Sequence, residues 1–180
     1  QVKAAEDKKK EAEAHHEQVT ASRNDILVYQ TEPLKEPLTF AGPLSATLYA
    51  SSSARDTDWY VSLVEIEKDG KTFHLAGGKV RARFRESVRK PVLLDPDKVY
   101  EYKLDLWHTG ITIPAGDRLR VEIASALFPS FSRNLNTGGR NYDESTGVVA
   151  HNVVHHSKQY PSQITVTVVK KAAAPTQAER

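Results

Sequence analysis

The chain has 180 residues, 39% apolar and 27% charged, enough for one domain with a sizeable core. A net charge of +2 is too small to argue for nucleic acid or an anionic membrane as partner, and no apolar run approaches the length of a membrane-spanning helix. With no cysteine there is no disulfide, no zinc thiolate and no thiol nucleophile. Methionine is absent even at position 1, which suggests a processed chain or an excised piece.

Residues 1–23 are rich in Ala, Glu and Lys and contain no Gly, Pro or aromatic residue. Good helix formers dominate, but few apolar residues offer anything to bury, so a solvated helix or a frayed arm is expected. From Ile26 the character changes to strand. Ile26-Leu27-Val28-Tyr29 is a short apolar run, and Leu38 to Ala41 is another, ended by Gly42-Pro43. Leu44, Ala46, Leu48 and Ala50 then alternate with Ser45, Thr47, Tyr49 and Ser51, which places the two sets on opposite faces of a strand. Residues 51–58 are polar and turn-forming, and a second apolar strand starts at Trp59. Asp69-Gly70 supplies the positive φ of a tight hairpin turn.

Thr72 to Ala76 reads as a strand that turns at Gly77-Gly78. Lys79 to Arg85 reads as a further strand, with Val80, Ala82 and Phe84 on one face and Arg81, Arg83 and Arg85 on the other. Pro91 and Asp95-Pro96-Asp97 mark residues 86–98 as a loop. Tyr100 to Trp107 and Leu119 to Ser125 alternate again, on either side of a turn at Pro114-Ala115-Gly116-Asp117. Residues 127–147 form the longest irregular stretch, a length usually tied to function or an interface. Strands follow at Val148 to His156 and Gln163 to Val169, and the tail 170–180 is expected to be disordered. Nine or ten short strands with regular turn signals and almost no helical period predict an all-β sandwich, of immunoglobulin or jelly-roll type.

Catalytic motifs are sparse. No Ser has Gly both two positions before and two after it, so the strand-turn-helix elbow of an α/β-hydrolase nucleophile is missing; Ser145 has Gly147 but also Asp143. His151, His155 and His156 cluster in sequence. On a strand His155 and His156 diverge, and His151 and His155 lie about 13 Å apart, so exposed or interface positions are expected in place of a metal site. Asp56 and Asp58 could ligate a hard cation, although two carboxylates in one loop more often bond their own backbone. The arginine row could take anions, but a solvated face or a domain contact is the plainer reading. No cofactor and no metal are predicted. Trp59 and Trp107 could each stack on a sugar or belong to the core, with Trp107, opposite Leu104 and Leu106, the better surface candidate.

Several of these segments together carry a resemblance. LVYQTEPL at 27–34 and FAGPLSATLYASSSARDTDWYVSLVEI at 40–66 are followed by GKVRARFR at 78–85 and VYEY at 99–102. IPAGDRLRVEI at 113–123 comes next, then Phe128-Pro129 and SRNLNTGG at 132–139, and the strand from Pro161 to Val168. In this order, over residues 24–169, the chain resembles the C-terminal domain of the Xaa-Pro dipeptidyl-peptidase and CocE/NonD hydrolases, the family of cocaine esterase, glutaryl acylases and α-amino-acid ester hydrolases. The resemblance implies a jelly-roll, galactose-binding-like sandwich, flanked by the arm at 1–23 and the tail at 170–180. It also implies a partner, an α/β-hydrolase domain of the same parent chain, which supplies the Ser, Asp and His of a serine hydrolase. None of those three maps onto a position here.

By the same resemblance the sandwich would help wall the catalytic cleft through its loops 51–58 and 127–147. Asp56, Asp58, Trp59, Arg133, Asn134, Asn136 and Thr137 are then the candidate interface and cleft residues, because Asn and Arg offer several directional hydrogen bonds. Equally, Asn136-Thr137-Gly138-Gly139 could simply shape its loop, with both glycines at positive φ. The alternative function is a free-standing carbohydrate-binding module, with Trp107 joined by Tyr142 or Tyr160. The parent's substrate, its compartment and whether it forms a homo-oligomer are left open.

Overall fold

The computed structural model describes residue 20 and residues 22–169; almost all of the expected arm and the whole of the tail lie outside that range. Among the described residues there are eight strands: β1 (Leu27–Gln30), β2 (Leu38–Ser52), β3 (Asp58–Ile66), β4 (Thr72–Arg81), β5 (Tyr100–Ile113), β6 (Arg118–Ala124), β7 (Asn152–His155) and β8 (Gln163–Val168). All pairings are antiparallel. The first sheet has the order β1-β6-β3-β4. In the second, β2 pairs with β5 along one side and with β8 and then β7 along the other. The chain is thus an all-β sandwich, as its turn spacing predicts.

The core lies between the sheets, built from alternate residues of each strand. Leu44, Ala46, Leu48 and Ala50 of β2 meet Trp59, Val61 and Leu63 of β3 and Tyr102, Leu104 and Leu106 of β5. The Asp69-Gly70 turn forms as predicted, with Gly70 at φ 88° and the Glu67 carbonyl accepting from its amide at 2.9 Å.

Glycine and proline mark strand irregularities here where the sequence suggests strand ends. β2 runs straight through Gly42-Pro43, and its register against β5 shifts between Pro43 and Ser45. Two residues, Leu106 and Trp107, face the single Leu44, which is a β-bulge, one of the few places a central strand tolerates proline. β4 likewise continues through Gly77-Gly78. A Cβ on Gly78 would fall 2.3 Å from the Asp105 carbonyl oxygen and 2.8 Å from the Leu106 side chain. Glycine there answers a close approach between β4 of one sheet and β5 of the other, and no turn is involved.

The expected strand from Lys79 to Arg85 is also corrected. β4 ends at Arg81, and Ala82–Phe84 form a 3-10 turn. Alternation fails because Ala82 donates its amide to the Thr57 carbonyl at 2.8 Å and turns inward, fully buried. The nine or ten strands expected reduce to eight, since the segments at 38–41 and 44–52 fuse into one, as do those at 72–76 and 79–81.

Candidate functional site

Three segments meet at the end of the sandwich where β2 hands over to β3. Asp56, Thr57 and Asp58 come from the short connection between them. Arg81 and Arg83 come from the end of β4 and its 3-10 turn. The long loop between β6 and β7 inserts Asn134. The hairpin brings the first two segments together, because the register opposite the Asp69-Gly70 turn pairs Asp58 with Arg81.

Arg81 donates to both oxygens of Asp58, Nε to Oδ1 at 2.8 Å and Nη2 to Oδ2 at 3.0 Å. Arg83 donates its backbone amide to Asp56 Oδ1 at 2.9 Å and its Nε to Oδ2 at 2.7 Å. Asn134 Nδ2 bridges the two carboxylates, 2.9 Å from Asp56 Oδ2 and 2.8 Å from Asp58 Oδ1. Asp56 is 0% exposed, and Asp58 and Asn134 are also buried. Two carboxylates facing two guanidiniums leave the cluster neutral, and the hydrogen bonds offset the desolvation of each charge. These partners also decide the cation question: carboxylates already facing two guanidiniums and an amide are poor calcium ligands. The Tyr60 hydroxyl donates to Asp58 Oδ2 at 3.3 Å. Burial, and secondarily the Asp58 charge, push its pKa up to about 12.

The cluster holds down the long loop. Arg83 Nη1 donates to the Gly139 carbonyl at 2.9 Å. Asn134 Oδ1 accepts the Asn136 amide at 2.9 Å, and Asn136, at φ 63°, donates its side chain to the Val148 carbonyl at 3.0 Å. The Thr137 hydroxyl donates to Glu144 and accepts from the Gly139 amide. Gly138 has positive φ. Gly139 does not share it; a Cβ there would collide with the Glu144 carboxylate. Further along, Asn152 Nδ2 donates to the Thr57 and Ser125 hydroxyls at 2.9 and 2.7 Å, tying β7 to the same end.

Of the seven candidate residues, Asp56, Asp58 and Asn134 thus form one cluster. Trp59 is packed beside them in the core, 2% exposed, and Asn136 and Thr137 shape the loop. Arg133 borders a cleft of about 770 Å³ with Asn24, Asp25, Asn136, Ser145 and His151. Ser145, His151 and Asp25 share that cleft but form no relay. Both Asp25 oxygens are bonded to Arg23 at 2.7 Å, which lowers the carboxyl's pKa, and no hydrogen bond joins the other two. The loop presents Leu127, Phe128, Val148 and Val149 to solvent, with Phe128 75% and Val149 83% exposed. Phe131 turns back and stacks on Tyr60, centroids 5.5 Å apart, under the Lys79 ammonium.

Arg81 and Arg83 are the functional residues that strand alternation missed. Reflection of β3 about the Asp69-Gly70 turn is the signal that finds Arg81. Arg85 is also not solvated: its guanidinium lies 4.2 Å over the Tyr100 ring and donates to the Val92 carbonyl. The histidines disperse. His155 Nε2 lies 3.1 Å from Ser51 Oγ, and His156 meets Tyr29 edge-on. No group of three metal-ligating side chains occurs among the described residues.

Fold and site together describe a sandwich module with a structural polar cluster and no assembled nucleophile among the described residues. The chain belongs to the family of X-Pro dipeptidyl-peptidase C-terminal non-catalytic domains, whose family model matches residues 1–165. It is 37% identical over 151 residues to a cocaine esterase of Rhodococcus sp. (strain MB1 Bresler), covering 83% of this chain and 26% of that protein. Among solved structures it is similar to an aminopeptidase from the marine sediment archaeon Thaumarchaeota archaeon, at 34% identity and TM-score 0.78, over 84% of this chain and 27% of the other. It is also similar to an α-amino acid ester hydrolase, at 30% identity and TM-score 0.79, over 82% and 26%. The chain therefore spans about a quarter of the length of these relatives.

Proposed function

We propose that this domain packs on an α/β-hydrolase domain of the same parent polypeptide, a serine peptidase, esterase or acylase, and helps shape its active-site cleft. One observation carries the reading. A buried, charge-neutral cluster fixes the 127–149 loop, and that loop turns large apolar side chains outward. Exposed apolar side chains on a fixed loop are what a docking face requires. In this reading Asp56, Asp58, Trp59 and Asn134 act from behind the surface. They hold Phe128, Val148 and Val149 in place, while Arg133 and Asn136 line the cleft beside the two valines and Thr137 shapes the loop behind it. Choice of substrate among Xaa-Pro peptides, esters and acyl amides belongs to the partner domain.

The test is hydrolysis of p-nitrophenyl butyrate by the purified 180-residue chain, alone and as part of the parent. The chain alone is expected to give only the buffer rate. Turnover by the chain alone that disappears on Ser145→Ala or another serine substitution overturns the proposal.

A further inference from the structure

The loop that closes over the polar cluster also bounds a pocket on the outer face of the first sheet. Residues 127–131 turn back on themselves, the Phe131 amide donating to the Leu127 carbonyl at 2.9 Å. The Phe131 ring lies on Tyr60, centroids 5.5 Å apart. Phe84 of the 3-10 turn and Val88 complete the walls, around a space of about 350 Å³. The hairpin of β3 and β4 supplies the floor. Its register sets Asp58 against Arg81 and Tyr60 against Lys79, and these alternate positions share the face opposite to the core.

The charges of this pocket do not cancel. Arg81 takes up both oxygens of Asp58, at 2.8 and 3.0 Å. Among the described residues Lys79 makes no ion pair; its ammonium lies 3.1 Å from the centre of the Phe131 ring. A ring face attracts a cation, but a carboxylate beside the same apolar walls attracts it more strongly. The pocket thus has aromatic and aliphatic walls and one unmatched positive charge. That combination suits a side chain with an apolar stem and a carboxylate tip. Phe131 belongs to the same turn that carries Phe128 outward, so the pocket continues the docking face. The relatives are about four times as long as the segment they share with this chain, so the rest of the parent is where such a side chain would come from.

We infer that the pocket between Phe131, Phe84 and Val88 receives an acidic side chain of the parent's α/β-hydrolase domain, whose carboxylate replaces the Phe131 ring as partner of the Lys79 ammonium. Its methylenes lie along the aromatic walls. The inference rests on the docking proposed above and adds the contact that orients it. Apolar side chains of the loop contribute area without direction, whereas a charge pair at a fixed position selects one register and disfavours others.

Lysine chemistry on the full-length parent protein tests it. Lys79 should be acetylated by acetic anhydride roughly tenfold more slowly than Lys103, whose side chain is 80% exposed on the second sheet. A zero-length carbodiimide should join Lys79 to a carboxylate outside this 180-residue chain, identified by mass spectrometry of the digest. Lys79→Glu should lower the thermal midpoint by several degrees, and Lys79→Arg, which keeps the charge, should leave it in place. Acetylation of Lys79 as fast as that of Lys103 overturns the inference. So does a link to an acid within residues 1–180, of the same or a second copy, or protection with no link to a carboxylate. If Phe128→Asp still lowers the midpoint in those cases, the docking stands and only the occupant of the pocket falls. If Phe128→Asp and Val149→Asp are also without effect, the docking falls with it.

Discussion

Asn134 joins two buried carboxylates through a single amide nitrogen. Its loss leaves each buried carboxylate with its arginine but one donor short. A hydrogen bond to a charged group contributes about 1.5–3 kcal/mol, so Asn134→Ala should lower unfolding free energy by about 2–4 kcal/mol in a urea titration. A loss under about 0.5 kcal/mol would show that the arginines alone hold the cluster. Two tyrosines set an alkaline limit. Burial is the leading reason that Tyr60 and Tyr102 titrate at about 12 in the folded chain, against an ordinary 10. Between pH 10 and 12 the unfolded chain releases these protons and the folded chain keeps them. Their contribution is thus whole below pH 10 and declines as pH rises through 12. The double variant Tyr60→Phe, Tyr102→Phe should show a flatter loss of thermal midpoint across that window, and an identical slope in both proteins would refute it. Among the described residues the buried Tyr102 hydroxyl makes no hydrogen bond of ordinary geometry, so Tyr102→Phe by itself should cost little at pH 7.

At the scale of the element, β4 and β5 depend on one another through Gly78. A methyl group there meets a backbone carbonyl, which cannot move aside as a side-chain tip can. Overpacking of this kind costs typically 1–3 kcal/mol and sometimes more. Gly78→Ala should therefore lower the thermal midpoint by many degrees. Gly110→Ala, in β5 of the facing sheet with open space around its Cβ position, should stay within about 0.5 kcal/mol of the parent. Equal midpoints for the two variants would mean that the strands separate easily and that the close approach is not what selects glycine. The same contact supports the Trp107 bulge, so one glycine connects the packing of two sheets to the surface presented on one of them.

At the scale of the molecule, the sandwich has one end where a polar cluster fixes a long loop and one outer face that carries Trp107. If the domain docks as proposed, Phe128→Asp and Val149→Asp in the full-length parent protein should lower kcat/KM or the thermal midpoint, because a charge facing an apolar contact is desolvated without a partner. Val88→Asp, equally exposed on another loop, is the control and should change neither. Matching results for all three substitutions would rule out the long loop as the docking face.

The sequence by itself determined the sandwich. Period-two alternation in β2 and β5 assigns the core face residue by residue, and Asp69-Gly70 sets the hairpin that pairs Asp58 with Arg81. These are local rules, read within a few residues. Tertiary structure alone decided what Gly42-Pro43, Gly77-Gly78 and the arginine row do. A bulge, a close approach between sheets and a salt bridge each depend on a strand distant in the chain. The role of Asn134 was hidden for the same reason. It lies 76 residues from Asp58, and only the closure of the long loop over the hairpin brings its amide to the two carboxylates.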